Sequence, residues 1–220
     1  MNESQAREEI CRVGASLFAR GYVHATAGNI SVRLDDGLLI TPTDACLGTL
    51  EPATIARVDA NCQPVGGARP SKTLALHRAI YEAALRHDSA TRCVIHTHST
   101  HCVALSLHAP GPELLAPITP YFVMKVGHLP LLPYARPGDP ATAQEVARLI
   151  EQYGAAGQPI RAVMLERLGP NVWHDSPAAA MATLEELEET ARVALLAPTG
   201  LQPLDESQIE ALRQAFGARW

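Results

Sequence analysis

The sequence predicts an α/β protein in which helices cover both faces of a mixed central sheet, a three-layer α/β/α sandwich. Three observations carry that expectation. Short apolar strands alternate with amphipathic helices along the chain. The first two strands are separated by only a tight turn, which antiparallel neighbours alone allow, so the sheet is not purely parallel. Hydrophobic residues make up 47% of the 220, enough for one core. No repeat or low-complexity linker divides residues 1–220 into smaller domains.

In chain order, residues 4–20 read as an amphipathic helix. Ser4 can cap it, Ile10, Val13, Leu17 and Phe18 share a face, and Gly21 ends it. Asn29 to Leu34 alternates as a strand, with Ile30, Val32 and Leu34 on one side. Asp36-Gly37 suits the turn, and Leu38-Leu39-Ile40 returns. Pro70 and Ser71 open a helix running to about Arg86. Arg92 to Thr97 is a short buried strand that leads into a helix near Ser99 to Leu107. Pro and Gly punctuate 109–140. Asp139 to Ile150 reads as a helix with Ala143, Val146, Leu149 and Ile150 inward, and Arg161 to Leu165 as another apolar strand. Pro177 starts a long helix to about Leu196, and Asp205 to Phe216 forms the last one. The run Glu185-Glu186-Leu187-Glu188-Glu189 reads as a solvated helix face.

Charge and composition remove several classes. Eighteen Lys and Arg against 23 Asp and Glu leave a net charge of −5, which argues against nonspecific nucleic-acid binding. No apolar run approaches the roughly 20 residues that span a bilayer, so no membrane partner is expected. Met1 to Glu9 is polar and acidic and does not read as a secretory signal. Five cysteines are scattered without a CxxC pair, so a disulfide framework and a thiolate zinc cluster are both unexpected. A reducing cytoplasm is the default compartment.

The sharpest chemical signal is His96-Thr97-His98 at the end of an apolar strand. Side chains two apart on a strand point to the same side, so two imidazoles can meet one ion such as Zn²⁺. Nine histidines make a chance H-x-H on the order of 0.4 events, so the pair needs company. His101, three residues beyond His98, reads as a supporting or surface residue rather than a ligand. Company comes from three polar corners. Thr26-Ala27-Gly28-Asn29 precedes the first strand and Thr41-Pro42-Thr43-Asp44 follows the second. Ser71-Lys72 sits at a helix start, where free N–H groups and the helix dipole favour an anion. Each alone is equally served by ordinary turn and cap chemistry.

Together these segments resemble the class II aldolase/adducin family. The matching blocks are Ala27-Gly28-Asn29-Ile30-Ser31-Val32-Arg33, Ile40-Thr41-Pro42-Thr43, Pro70-Ser71-Lys72 and His96-Thr97-His98-Ser99-Thr100-His101. Further along come Thr119-Pro120-Tyr121, Tyr134-x-Arg136-Pro137-Gly138-Asp139, Gly169-Pro170 and Glu185 to Thr190, in order over about residues 5–198. The later blocks are most similar to the 3-oxo-tetronate 4-phosphate decarboxylase branch, with fuculose-phosphate aldolase more distant.

The resemblance implies a homotetramer with active sites between subunits, and a divalent metal, usually zinc, that stabilises an enediolate. By that likeness His96 and His98 are metal ligands. Gly28, Asn29, Thr43, Asp44, Ser71 and Lys72 surround the phosphate of a small phosphorylated substrate, and Tyr121 donates a proton in a neighbour's site. Two positions depart from the pattern. Thr73 stands where the family has an acid/base glutamate, and Leu168 where it has a third histidine ligand. Threonine does not titrate near neutral pH, and leucine offers no lone pair. Glu166 or His174 is the available substitute ligand. The function expected is a metal-dependent carbon–carbon lyase, decarboxylase or aldolase. The alternative is a non-catalytic, adducin-like relative.

Overall fold

The computed structural model describes residues 1–108, 111–197 and 200–220. The first two residues of the Pro- and Gly-punctuated stretch, and residue 198 at the end of the family likeness, lie outside them. The chain folds around a hairpin of β1 (Asn29–Leu34) and β2 (Gly37–Ile40), with Leu34 opposite Gly37. Its turn is therefore Asp35-Asp36, one residue earlier than the Asp-Gly pair suggests. β3 (Ala56–Asp59) and β4 (Pro64–Gly66) extend the sheet beyond β2. On the other side β1 pairs with β5 (Cys93–His96), followed by β8 (Gly169–His174), β7 (Ala162–Leu165) and β6 (Leu131–Leu132). Among the described residues only β6 and β7 pair in parallel; the other neighbours are antiparallel, so the sheet is mixed.

Alternation along the strands builds two cores. Ile30, Val32, Ile95 and Val172 point to one face, where they meet α1 (Glu3–Ala19), α3 (Thr100–Ser106), α4 (Pro120–Lys125) and α6 (Pro177–Leu196). Val94, Val163 and Trp173 point to the other, beneath α2 (Leu74–Ala84) and α5 (Pro140–Ala155). α7 (Glu206–Phe216) packs on α4. The α/β, three-layer expectation with a mixed central sheet holds.

Several local expectations shift. α1 is capped by Asn2 in a capping box with Gln5, not by Ser4. α2 begins at Leu74 rather than Ser71, because Pro70 is held in a bridge to Pro42 and Ser71 to Thr73 form a turn closed by Leu74 N–H on Ser71 O (3.1 Å). β5 ends at His96, so His98 lies in the loop beyond it. The glutamate run is not simply solvated. Glu188 is 3% exposed, and its carboxylate accepts from the backbone N–H groups of His101 and Cys102 at the start of α3.

Candidate active site

Strand register puts Asn29, His96 and Asn171 side by side on the face beneath α2. A cavity of about 400 Å³ opens there, within the usual range for small-molecule sites. Part of the lining is polar: Gly28 and Asn29 at the start of β1, Thr43 and Asp44 beyond β2, and Ser71, Lys72 and Thr73 before α2. His96 and His98 line the same cavity. The rest of the lining includes Leu165, Leu168 and residues of the 136–143 segment, Arg136 among them.

Backbone bonds fix the polar corner. Ser71 N–H donates to Thr41 O (3.1 Å) and Thr43 N–H to Arg69 O (3.0 Å), tying two loops together. Gly28 has φ +83°, and a Cβ there would sit 2.6 Å from Val23 Cγ1 and 3.0 Å from His96 O. Only glycine lets this turn approach the end of β5. Lys72 Nζ lies 3.6 Å from Asp44 Oδ2, so the carboxylate that would repel a phosphate has a cation beside it. Thr73 lines the cavity with its hydroxyl 2.9 Å from Ser71 Oγ.

Beneath the cavity runs a buried polar chain that the sequence reading missed. His77, fully buried on α2, holds Asn29 Oδ1 through Nε2–H (2.5 Å) and accepts from Ser31 Oγ at Nδ1 (2.7 Å). Tyr81 OH lies 2.9 Å from Ser31 Oγ. Burial, then the nearby His96, pushes His77 down to about 3, so the ring is neutral. The legible signal was a histidine on the same helix face as Ile80, Tyr81 and Ala84. Arg136 was the other omission. It stood in a quoted motif without a role, and it lines the cavity here.

His96 is 7% exposed and its Nδ1–H donates to Pro170 O (3.0 Å). That bond fixes the tautomer and leaves the Nε2 lone pair free. Burial, then the charge of His98, moves His96 down to about 4. His98 is lowered by burial and by His24. Both rings are thus neutral at pH 7, the form that binds metals. Their centres are 5.1 Å apart. Two imidazoles bound tetrahedrally at about 2.0–2.1 Å place their centres about 5 Å apart, so the pair fits a divalent cation as two of its ligands.

The proposed substitutes for a third ligand do not reach it. Glu166 accepts from Tyr134 N–H (2.9 Å) and Arg167 Nε (3.1 Å) instead. His174 pairs with Cys93, three residues from His96 and about 10 Å away along the strand, and is held by Arg161 and Asp175. Leu168 lines the cavity. Among the described residues no three His, Cys, Asp or Glu side chains converge to hold a metal. His101 Nδ1 is bonded to Glu188 (2.8 Å), and His101 does not line the cavity. Tyr121 is 60% exposed on α4 and does not line this cavity.

Comparison with known proteins agrees with this geometry. Residues 8–195 match the model of the class II aldolase and adducin N-terminal domain. A 3-oxo-tetronate 4-phosphate decarboxylase of Cupriavidus necator is 52% identical over 225 residues, covering 99% of each chain. The crystal structure of YgbL from Klebsiella pneumoniae superposes with a TM-score of 0.86 at 40% identity, over 97% of this chain and 100% of that one. An L-fuculose-1-phosphate aldolase from Thermus thermophilus gives 0.73 at 25% identity, over 89% and 98%. The chain belongs to the class II aldolase and adducin family.

Proposed function

We propose that this chain is a lyase that removes CO₂ from a small phosphorylated 3-oxo acid, with 3-oxo-tetronate 4-phosphate, the substrate in the Cupriavidus relative's name, as its substrate. One observation carries the reading: a single cavity joins an anion-friendly corner to two neutral imidazoles.

In such a substrate the carboxylate is β to a ketone. Breaking the C1–C2 bond releases CO₂ and leaves the electron pair on C2, delocalised into the C3 carbonyl as an enediolate. A proton added at C2 gives dihydroxyacetone phosphate. Lys72, Ser71, Thr43 and Asn29 hold the phosphate end, with Gly28 allowing close backbone approach. His77 keeps the Asn29 carboxamide in place. Class II aldolases use a divalent cation, and His96 and His98 would hold it, with Zn²⁺ the ion best matched to imidazole. When bound, it supplies electrostatic stabilisation of the developing charge, worth several kcal/mol.

Decarboxylation proceeds without removing a proton from carbon, which is compatible with Thr73 where an aldolase has a carboxylate. Thr73 orients Ser71 and is not an acid or base. Leu165 and Leu168 line the same cavity, and apolar side chains beside the carboxylate would disfavour the charged group that departs. Tyr121, outside its own cavity, serves the site of a neighbouring protomer in a homotetramer.

Purified protein supplied with Zn²⁺, Mn²⁺ or Co²⁺ should release CO₂ and dihydroxyacetone phosphate in equal amounts. His96→Ala should reduce turnover by at least about 10²-fold. A folded wild type that yields neither product with any of the three ions would overturn this substrate; weak metal affinity and no product from any phosphorylated 3-oxo acid would favour the non-catalytic reading, which Thr73 and Leu168 motivate.

A further inference from the structure

We infer that Arg136 recognises the carboxylate of the substrate and so sets a preference for phosphorylated acids over phosphorylated neutral molecules. The inference rests on the decarboxylase reading above and deepens it.

Two cations, Lys72 and Arg136, line the cavity, and the proposed substrate has two anionic ends. Strand order keeps these cations on different sides. Across the sheet the strands run β2-β1-β5-β8-β7-β6. Lys72 belongs to the β2 side, since Ser71 N–H before it donates to Thr41 O (3.1 Å), just past β2. Arg136 belongs to the other side. Its segment leaves β6 and runs beside the end of β7: Leu132 pairs with Leu165, and Tyr134 N–H donates to Glu166 (2.9 Å). Four strand spacings, about 19 Å of backbone, separate β2 from β7. His96 ends β5, which lies between them. A substrate held by its phosphate at Lys72 and crossing the imidazoles therefore points its far end toward Arg136.

The guanidinium is available there. Its Nε lies 3.8 Å from Asp139 Oδ2, beyond hydrogen-bond length, and Asp139 Oδ1 is occupied by Ala141 N–H (3.0 Å) as the cap of α5. Among the described residues neither Nη group is hydrogen-bonded. Two parallel N–H groups of a planar guanidinium match the two oxygens of a carboxylate. The Arg136 side chain is 75% exposed, so water screens the pair and keeps it weak. A weak hold suits a group that must leave: CO₂ departs neutral, and its contact with the cation lapses as the charge passes to the carbonyl oxygen.

The test is calorimetric titration of the Zn²⁺-supplied full-length protein with two unreactive four-carbon phosphates. Erythronate 4-phosphate ends in a carboxylate and erythritol 4-phosphate in a CH₂OH group. Wild type should bind the acid at least about fivefold more tightly. Arg136→Met should bring the two affinities within about twofold of each other and leave that for erythritol 4-phosphate within about twofold of wild type. Arg136→Lys should keep only part of the preference, because a point charge lacks the fork. A preference that survives in Arg136→Met, or one absent from wild type, would overturn the inference. So would an equal loss for both ligands, which would assign Arg136 to the phosphate or to the shape of the cavity. Release of CO₂ from 3-oxo-tetronate 4-phosphate by the same wild-type sample separates the two levels: with product formed, any of these results rejects the role of Arg136 alone, and without product the decarboxylase reading falls with it.

Discussion

Asn171 is wholly buried opposite His96, and among the described residues neither its Oδ1 nor its Nδ2 has a hydrogen-bond partner. A buried polar group left unpaired costs about 1–3 kcal/mol. Asn171→Val removes that cost with a side chain about one methylene larger, so the variant should melt higher by about 2–8 °C where the site accommodates it. An unchanged melting temperature would mean that the carboxamide is solvated after all. His77 poses the opposite case, a buried group whose bonds are satisfied only while it is neutral. Its pKa is about 3 in the fold against 6.5 when exposed. Between those values the unfolded chain takes up a proton that the folded chain refuses. The stability linked to His77 is therefore complete above pH 6.5 and falls as the pH drops toward 3, by up to about 1.4 kcal/mol per unit. His77→Gln removes this titration. Its deficit relative to wild type should shrink by up to about 2 kcal/mol between pH 7 and pH 5 in urea unfolding. A constant deficit would contradict a neutral His77. The His96-His98 pair was readable from sequence because a single residue separates its two histidines, although His98 lies in the loop after β5 rather than on the strand. The pairing of His77 with Asn29 was not, since 48 residues separate them.

At the scale of elements, the site depends on how closely β8 approaches the loop after β5. Gly169 opens β8 with φ +126°, and a Cβ there would overlap Thr97 O and lie 3.2 Å from the Cα of His98. Gly169→Ala should therefore displace the His98 segment. We expect at least about a tenfold fall in kcat/KM, together with about 1–3 kcal/mol of backbone strain. Normal kinetics in the folded variant would show that the loop yields without moving His98. This strand also marks the limit of local reading. Gly169-Pro170-Asn171 is turn chemistry by composition, yet it pairs with β5 and β7 on its two edges, so tertiary pairing overrides propensity. β6 has two residues and no periodicity to detect. Glu188 looked solvated because it lies in an acidic run; its burial follows from where α3 begins, and sequence spacing does not contain that.

At the scale of the whole molecule, the layers and the hairpin were legible because period-2 and period-3.6 apolar patterns record which face is buried. How protomers meet is not recorded that way, because an interface residue and a solvated one look alike in one chain. Tyr121 illustrates this. It sits 60% exposed on α4, away from the cavity of its own protomer, while the proposed reaction needs a proton at C2. If a neighbour's tyrosine supplies that proton, each active site takes His96 from one protomer and Tyr121 from another. His96→Ala and Tyr121→Phe protomers should then each be inactive as pure assemblies. Co-expressed in equal amounts they regain activity, because some sites combine an intact histidine with an intact tyrosine. Random mixing gives about one quarter of wild-type turnover. Activity that stays at the background of the separate variants, in assemblies shown by mass spectrometry to contain both chains, would place the tyrosine and the histidines of a working site in one protomer. α4 would then have to move to bring its side chain to the cavity.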